Sequence, residues 1–488
     1  MSLATSTIVD RDQAAASDAP AIERLQESLA LQRAAFRKDP IPTKAQRVEH
    51  LQALAGMLVA NRARIEAAVA EDFGAHPALF CDLLEVLGPA GRAVAAIEAL
   101  DDWMAAEQRA ADPALWGDAR VEMRLEPKGV IGNMAPWNFP FEIGCGPVVE
   151  MLAAGNRVVV KPSDLTPACA ALLEELVAQT FDRDRVTTAV GGLELARAFT
   201  RQPWDHLMYT GSPGVGREVM RAAAEHLVPV TLELGGKCPA VLTASGVTRE
   251  AVASILGTKL VKNGQMCITV DHVLVPRDRL EDLVDLLVGF ARDVLPGHST
   301  TADAVGLITD RHLARIEAML DEAREAGARI VELEPGTGVD RATRRMPLSL
   351  VVDPPAGLRL MQEEVFGPLL PVIPYDDLDE ALAAIDAQDR PLGLYVFGDD
   401  AEECEHVVRT VRSGGACING CALQGAVASL GFGGSGTSGM GRHHGIEGFR
   451  EFSTARGVVV RGTHDDTDVL FPPYGAKAQA VVDAALGG

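Results

Sequence analysis

Between Val158 and Leu234, short apolar runs (Val158–Val160, Val186–Val190, Leu207–Tyr209, Val230–Leu232) alternate with helix-like stretches such as Ala170–Gln179 and Gly216–His226. Strands read as continuous apolar runs when both faces are covered, and alternation with helices means βαβ units on a parallel sheet. The pattern recurs at Val273–Val275, Ile330–Glu332, Leu348–Val352, Leu370–Ile373 and Ala416–Ile418, interleaved with helical segments such as Leu280–Leu287 and Leu378–Ala387. The expected architecture is therefore α/β, with two doubly wound, Rossmann-like lobes. A length of 488 residues accommodates two or three domains.

Upstream of the first alternation, Val48, Leu51, Leu54, Leu58, Ile65 and Val69 fall three, four or seven apart, and Thr43 with Gln46 makes a capping-box signature. One amphipathic helix is predicted from Thr43 to Phe73. Residues 1–19 are rich in Ala, Ser, Thr and Asp and offer little to bury, so they are predicted to be a mobile tail.

Lys plus Arg number 45 against 68 Asp plus Glu, a net charge of −23 that repels phosphate backbones and anionic lipid surfaces. Neither nucleic acid nor a membrane is an expected partner. The eight cysteines, at 81, 145, 169, 238, 267, 404, 417 and 421, are too sparse and irregular for a secreted disulfide framework and fit reduced thiols in a cytoplasm. Asp10, Arg11 and Asp12 interrupt any leader-like start, and no apolar run approaches bilayer length.

In an open parallel sheet, ligands bind where strand ends meet helix N-termini, because free amides and the helix dipole favour phosphate there. Three polar or glycine-rich segments follow predicted strands: Lys161-Pro162-Ser163-Asp164, Gly211-Ser212-Pro213-Gly214-Val215-Gly216 and Glu233-Leu234-Gly235-Gly236-Lys237. Amides of the second could cradle a pyrophosphate, with Ser212 adding a hydroxyl. In the first, Lys161 and Asp164 fit an adenosine ribose equally as well as a solvated helix start. A formal Gly-x-Gly-x-x-Gly at Gly434, Gly436 and Gly439 follows no strand and reads as a bare turn.

Three residues carry candidate chemistry with a bland alternative beside each. Cys267 follows Gly264 in Asn-Gly-Gln-Met-Cys; a thiol on a tight turn is an exposed nucleophile, but most lone cysteines fill cores. Glu233 at a strand end is a general base or a surface charge. Asn138 in Pro-Trp-Asn-Phe-Pro is an oxyanion donor or a residue satisfying its own turn. Cys417, Cys421, His443 and His444 lack zinc-site spacing, so no metal is expected.

Taken together and in order, Pro136-Trp137-Asn138, Lys161-Pro162-Ser163, Thr210-Gly211-Ser212, Glu233-Leu234-Gly235-Gly236-Lys237, Asn263-Gly264-Gln265-Met266-Cys267 and Glu364-Val365-Phe366-Gly367-Pro368 resemble the NAD(P)-dependent aldehyde dehydrogenase superfamily. The likeness runs from about residue 39 to about residue 456. Tyr209-Thr210-Gly211-Ser212, the segment Pro391–Phe397 and the segment Ser438–Gly445 are similar to its class 3, fatty-aldehyde and coniferyl-aldehyde branch. Gly431 stands where that branch usually has Pro, and Gln424 where His is common, both near the presumed substrate entrance.

The resemblance implies oxidation of an aldehyde, apolar or aromatic, to the carboxylic acid with NAD or NADP. Cys267 would be the nucleophile, Asn138 the oxyanion donor and Glu233 the general base. Trp137, Lys161, Ser163, Asp164, Gly211, Ser212, Gly216, Leu234, Gly235, Glu364 and Phe366 would contact the cofactor. It further implies a cofactor-binding domain over 20–109 and 128–234 with about 438–452, a catalytic domain over 235–437, and a homodimer bridged by 110–127 and 453–470. An extension follows over 471–488. The rival readings are a thiol-dependent esterase or acyl transferase, and a catalytically retired structural member.

Overall fold

The computed structural model describes residues 11–464 and 466–487, with side chains from Asp18 onward. Two parallel sheets organise it. The first holds six strands in the order Gly439–Met440, Val230–Glu233, His206–Thr210, Val130–Met134, Arg157–Lys161, Val186–Thr188, all parallel except the first. The second holds seven, in the order Arg329–Glu332, Ser349–Val352, Leu369–Tyr375, His272–Pro276, Pro239–Leu242, Gly393–Phe397, Gly415–Ile418, again with only the first antiparallel. The two doubly wound lobes predicted from the apolar runs are present.

Three central strands escaped the apolar pattern. Val130–Met134 is fully buried, but Gly132 and Asn133 break its apolar run. Gly132 stands where the rings of Phe199 and Trp204 press on the backbone, leaving no room for a Cβ. Pro239–Leu242 and Gly393–Phe397 each open on a residue that punctuates turns and so hides a strand start.

Two expectations are corrected. The single helix from Thr43 to Phe73 is two, Lys44–Ala60 and Arg62–Phe73, broken at Asn61, whose side-chain amide donates to the Met57 carbonyl at 2.8 Å. The start is as predicted, with a reciprocal capping box between Thr43 and Gln46. The mobile tail is also revised: residues 11–19 belong to the helix Arg11–Lys38, while residues 1–10 lie outside the described residues. Poor apolar content is compensated there by Asp18, whose carboxylate accepts from the Gly192 and Leu195 amides at 2.9 and 3.0 Å.

A third, antiparallel sheet of Glu107–Arg109, Arg120–Pro127 and Ser453–Val460 shares no strand with the other two, its longest pairing running from Ser453 opposite Pro127 to Val460 opposite Arg120. The chain closes on the helix Ala476–Leu486, which has no buried residue. Among the described residues no helix is long and apolar enough to cross a membrane.

Candidate active site

A cleft of about 280 Å³ opens where strand ends of the two parallel sheets face each other. Its walls bring together Trp137, Asn138, Gly211, Ser212, Glu233, Leu234, Gly235, Cys267, Glu364 and Phe366, with Thr210, His312 and Arg315 beside them. Ten of the fourteen predicted site residues thus share one cavity. Lys161, Ser163, Asp164 and Gly216 are not among its lining residues.

Glycines explain how close these segments come. At Gly235 a Cβ would overlap the Glu364 carboxyl, and at Gly264 it would overlap the Gly367 carbonyl, so the Glu-Leu-Gly-Gly, Asn-Gly-Gln-Met-Cys and Glu-Val-Phe-Gly segments touch through bare backbone. Gly216 serves a similar purpose on its helix, where Leu234 packs against it. Ser212 is the N-cap of the helix Pro213–Ala224, and the Gly211 amide donates to the Glu233 carbonyl at 2.9 Å.

The nucleophile segment is held under strain. Lys262, Asn263 and Gly264 take φ values of +50, +54 and +79°, and only the glycine does so without cost; each of the other two costs about 1–3 kcal/mol. Three anchors offset this. Lys262 Nζ pairs with Glu85 Oε1 at 2.6 Å, both side chains fully buried, and lies over the rings of Phe73 and Phe139. Asn263 donates to the Met346 carbonyl at 3.2 Å. Gln265 donates to the Lys262 and Gly306 carbonyls at 2.8 and 3.0 Å and accepts from the Ile308 amide at 2.9 Å. Glu85 also accepts from the Phe141 and Glu142 amides at 3.0 and 2.9 Å, tying the segment to the start of the helix Glu142–Ala153.

Asn138 does not satisfy its own turn. Its amide donates to the Gln265 carbonyl at 3.1 Å, beside Cys267. Cys267 itself is half-buried, and the Cys267 and Ile268 amides face its sulfur, favouring the thiolate. Burial first, then the carboxyls of Glu364 and Glu233, push the thiol up to about 12. Burial likewise holds Glu233 well above the ordinary carboxylate range, against the pull of Arg442. Glu364 is pushed up to about 8 by burial and by Asp271.

The Glu364 segment is clamped from two sides. Asp271 accepts from the Val365 amide at 2.8 Å and pairs with Lys237 at 2.5 Å, and Lys237 also donates to the Leu360 carbonyl at 2.7 Å. Arg315 donates to the carbonyls of Glu364 and Val365. Trp137 stands edge-on to Phe366 and His312, with centroids 5.4 and 5.2 Å away. Glu85, Lys262, His312 and Arg315 had no signal in the sequence, because their importance comes from partners tens to hundreds of positions away.

Lys161, the last residue of its strand, is buried and donates to the Pro162 carbonyl at 3.0 Å, and Ser163 Oγ accepts from the Leu165 amide at 3.2 Å. The glycine-rich turn at 434–439 leads into the short strand Gly439–Met440 and is not part of the cleft. Among the described residues no cluster has the makings of a metal site.

Thr210 Oγ1, both Glu233 oxygens and Glu364 Oε1 are buried at this cleft without a hydrogen-bond partner. Orphaned polar atoms of this kind need a ligand's polar groups or water. The same cleft is lined by Trp137, Leu234, Phe366 and Cys267 and by the helix start at Ser212, at the strand ends where open parallel sheets hold dinucleotides.

The comparisons with known proteins agree. The aldehyde dehydrogenase family model matches residues 11–458, so the chain belongs to the aldehyde dehydrogenase family. It is 39% identical to a probable coniferyl aldehyde dehydrogenase of Pseudomonas aeruginosa, over 94% of this chain and 96% of that one. It is 34% identical to aldehyde dehydrogenase family 3 member I1 of Arabidopsis thaliana, covering 90% of this chain and 79% of that protein. An aldehyde dehydrogenase of Mycobacterium tuberculosis solved with NAD+ superposes with a TM-score of 0.80 at 29% identity, over 89% of this chain and 90% of that one. The chain is an NAD(P)-dependent oxidoreductase that converts an aldehyde to its carboxylic acid, related to the coniferyl and class 3 branch.

Proposed function

We propose that Cys267, Asn138 and Glu233 perform this oxidation as nucleophile, oxyanion donor and general base, in a cleft whose dinucleotide end is formed by Trp137, Gly211, Ser212, Leu234, Gly235, Glu364 and Phe366. The convergence of these residues on one cavity, with Glu233 and Glu364 left unpartnered, carries the reading. The strand ends at Lys161, Ser163 and Asp164 extend that site toward the adenosine ribose, and Gly216 supports it through Leu234. The lobe of the six-stranded sheet is the cofactor-binding domain and the lobe of the seven-stranded sheet the catalytic one.

Cys267 loses its proton and adds to the aldehyde carbonyl, forming a C–S bond and leaving negative charge on the former carbonyl oxygen. Asn138 has a second N–H free of Gln265, and with the Cys267 amide it meets that charge. When bound, NAD or NADP supplies the hydride acceptor. The thioester left on Cys267 then needs water, and Glu233 takes the proton from that water as it attacks. Its burial makes it a stronger base than an exposed carboxylate.

The substrate is an apolar or aromatic aldehyde. Phe139, Met266 and Ile268 belong to the buried apolar cluster against which Cys267 packs, together with the partly buried Leu84, Ile143, Ala422 and Phe432, and the Pseudomonas relative is named for coniferyl aldehyde, an aromatic one. The enzyme works as a homodimer in the cytoplasm. Leu470, Phe471, Tyr474, Val481, Val482 and Leu486 are all exposed on the C-terminal segment, and Val459 and Val460 on the adjoining strand, an apolar surface that a second copy would cover.

The deciding experiment follows nicotinamide reduction with NAD and NADP across aliphatic, aromatic and semialdehyde substrates, with Cys267→Ala as control. Aromatic aldehydes should give the highest kcat/KM, and the control should be inactive. Cleavage of activated esters with no reduction by any aldehyde would replace this reading with thiol hydrolysis.

A further inference from the structure

The segment that carries Cys267 is also held by two side chains of the seven-stranded sheet, neither of which lines the cleft. Cys238 immediately precedes the strand Pro239–Leu242, Tyr395 lies within the strand Gly393–Phe397, and both are fully buried. The Gly393 amide donates to Cys238 Sγ at 3.1 Å, which leaves the S–H to donate to the Cys267 carbonyl at 3.3 Å. The Tyr395 hydroxyl donates to the Ile268 carbonyl. A Cβ at Gly393 would overlap that hydroxyl, so the strand is bare where the phenol passes.

A peptide unit is planar, so fixing its carbonyl also fixes its N–H. The Cys267 carbonyl shares its plane with the Ile268 amide. The Ile268 carbonyl shares its plane with the Thr269 amide, which donates to the Met266 carbonyl at 3.0 Å, and that carbonyl shares its plane with the Cys267 amide. Cys238 thus aims the Ile268 N–H across one rigid unit, and Tyr395 aims the Cys267 N–H across two. These are the two amides that face the Cys267 sulfur. Resting on the reading of Cys267 as nucleophile and of its amide as an oxyanion donor, we propose that Cys238 and Tyr395 are positioning residues, which hold the Ile268 and Cys267 N–H groups toward the reacting sulfur. Without these anchors the planes are free to turn. The thiolate then loses donors that favour its charge, and the Cys267 amide no longer lies where the oxyanion forms.

The test reads the sulfur directly as well as turnover. Carbamidomethylation of Cys267 by iodoacetamide at about pH 8 is followed on the tryptic peptide 263–277, which holds no other cysteine. The full-length wild type is compared with Cys238→Ala, Cys238→Ser and Tyr395→Phe, with steady-state kinetics beside it and thermal denaturation to confirm that each is folded. Cys238→Ala and Tyr395→Phe should each slow alkylation by about three- to tenfold and lower kcat by about tenfold, with KM for aldehyde and dinucleotide moved by less than about twofold. Cys238→Ser keeps a donor and should stay within about twofold of wild type in both rates. Tyr395→Phe keeps the ring, so it decides the matter if Cys238→Ala does not fold. Alkylation and kcat within about twofold of wild type in both Cys238→Ala and Tyr395→Phe overturn the proposal and leave Cys267 as the nucleophile. Losses in Cys238→Ser equal to those in Cys238→Ala would trace the effect to packing and overturn the role of Cys238. A Cys267→Ala enzyme that still reduces nicotinamide overturns the nucleophile reading itself, and the positioning with it.

Discussion

Asn138 Nδ2 donates to the main-chain carbonyl of Gln265 at 3.1 Å, across 127 positions of chain and from the lobe of the six-stranded sheet to the segment that carries Cys267. One hydrogen of the amide is spent on aiming the side chain. In the proposed mechanism the other meets the oxygen that gains charge beside the sulfur, so one side chain would both hold the Cys267 segment and answer its chemistry.

Replacing Asn138 by Ala should therefore lower kcat by about 10²–10³, the usual loss for one oxyanion donor. Steady-state kinetics with a saturating aldehyde measures it. A variant within about twofold of wild type in kcat would show that the donor is elsewhere.

Glu233→Gln should separate the two halves of the reaction. Addition and oxidation proceed, then the thioester waits for water without its base, so one equivalent of reduced nicotinamide per active site appears in a burst before a steady state slowed by about 10²–10⁴. Rapid-mixing absorbance resolves the two phases. A variant with no burst and unchanged steady-state rate would remove Glu233 from the mechanism.

The protonation of Cys267 predicts how it reacts without substrate. Burial and two neighbouring carboxyls hold the thiol up to about 12, so the thiolate is the minor form throughout the neutral range and grows as pH rises. Carbamidomethylation by iodoacetamide, read by mass spectrometry on the peptide containing Cys267, should accelerate by close to tenfold per pH unit from about pH 7 to about pH 9. A rate that levels off below about pH 8 would mean that the sulfur is activated in the free enzyme.

Glu85→Ala leaves the Lys262 ammonium buried without its partner and removes the acceptor for the Phe141 and Glu142 amides. Breaking a buried pair in this way typically costs about 3–5 kcal/mol. Denaturant titration should show a loss of that size, with kcat falling as the strained turn at Lys262 and Asn263 relaxes. A loss below about 1 kcal/mol would show that the pair contributes no more than a surface salt bridge.

Residues that announced themselves did so through local chemistry. Strands such as Arg157–Lys161 and Leu369–Tyr375 are legible because burial on both faces demands an unbroken apolar run, and the Thr43 helix start is legible because a capping box lies within four residues. Cys267 and Glu233 were visible as candidate residues at a turn and a strand end, whereas Glu364 entered only with the family resemblance that the order of the motifs supplied. The break at Asn61 was hidden by a continuous apolar period although its partner, the Met57 carbonyl, is only four positions away, while the helical Arg11–Asp18 segment and the strand Val130–Met134 were not legible because each depends on a partner or a packed ring elsewhere in the chain.

What the amino-acid order determined alone is the alternation of covered strands and helices and the kinds of side chain set at their ends, because periodicity and turn chemistry act over a few residues. Only the folded chain decided that Glu85 neutralises Lys262, that Gly235 and Gly264 admit Glu364 and Gly367, and that Asp18 caps the helix starting at Leu193. Those relationships are electrostatic and steric contacts between distant segments, and burial gives them their strength, so they exist only once water has been excluded around them.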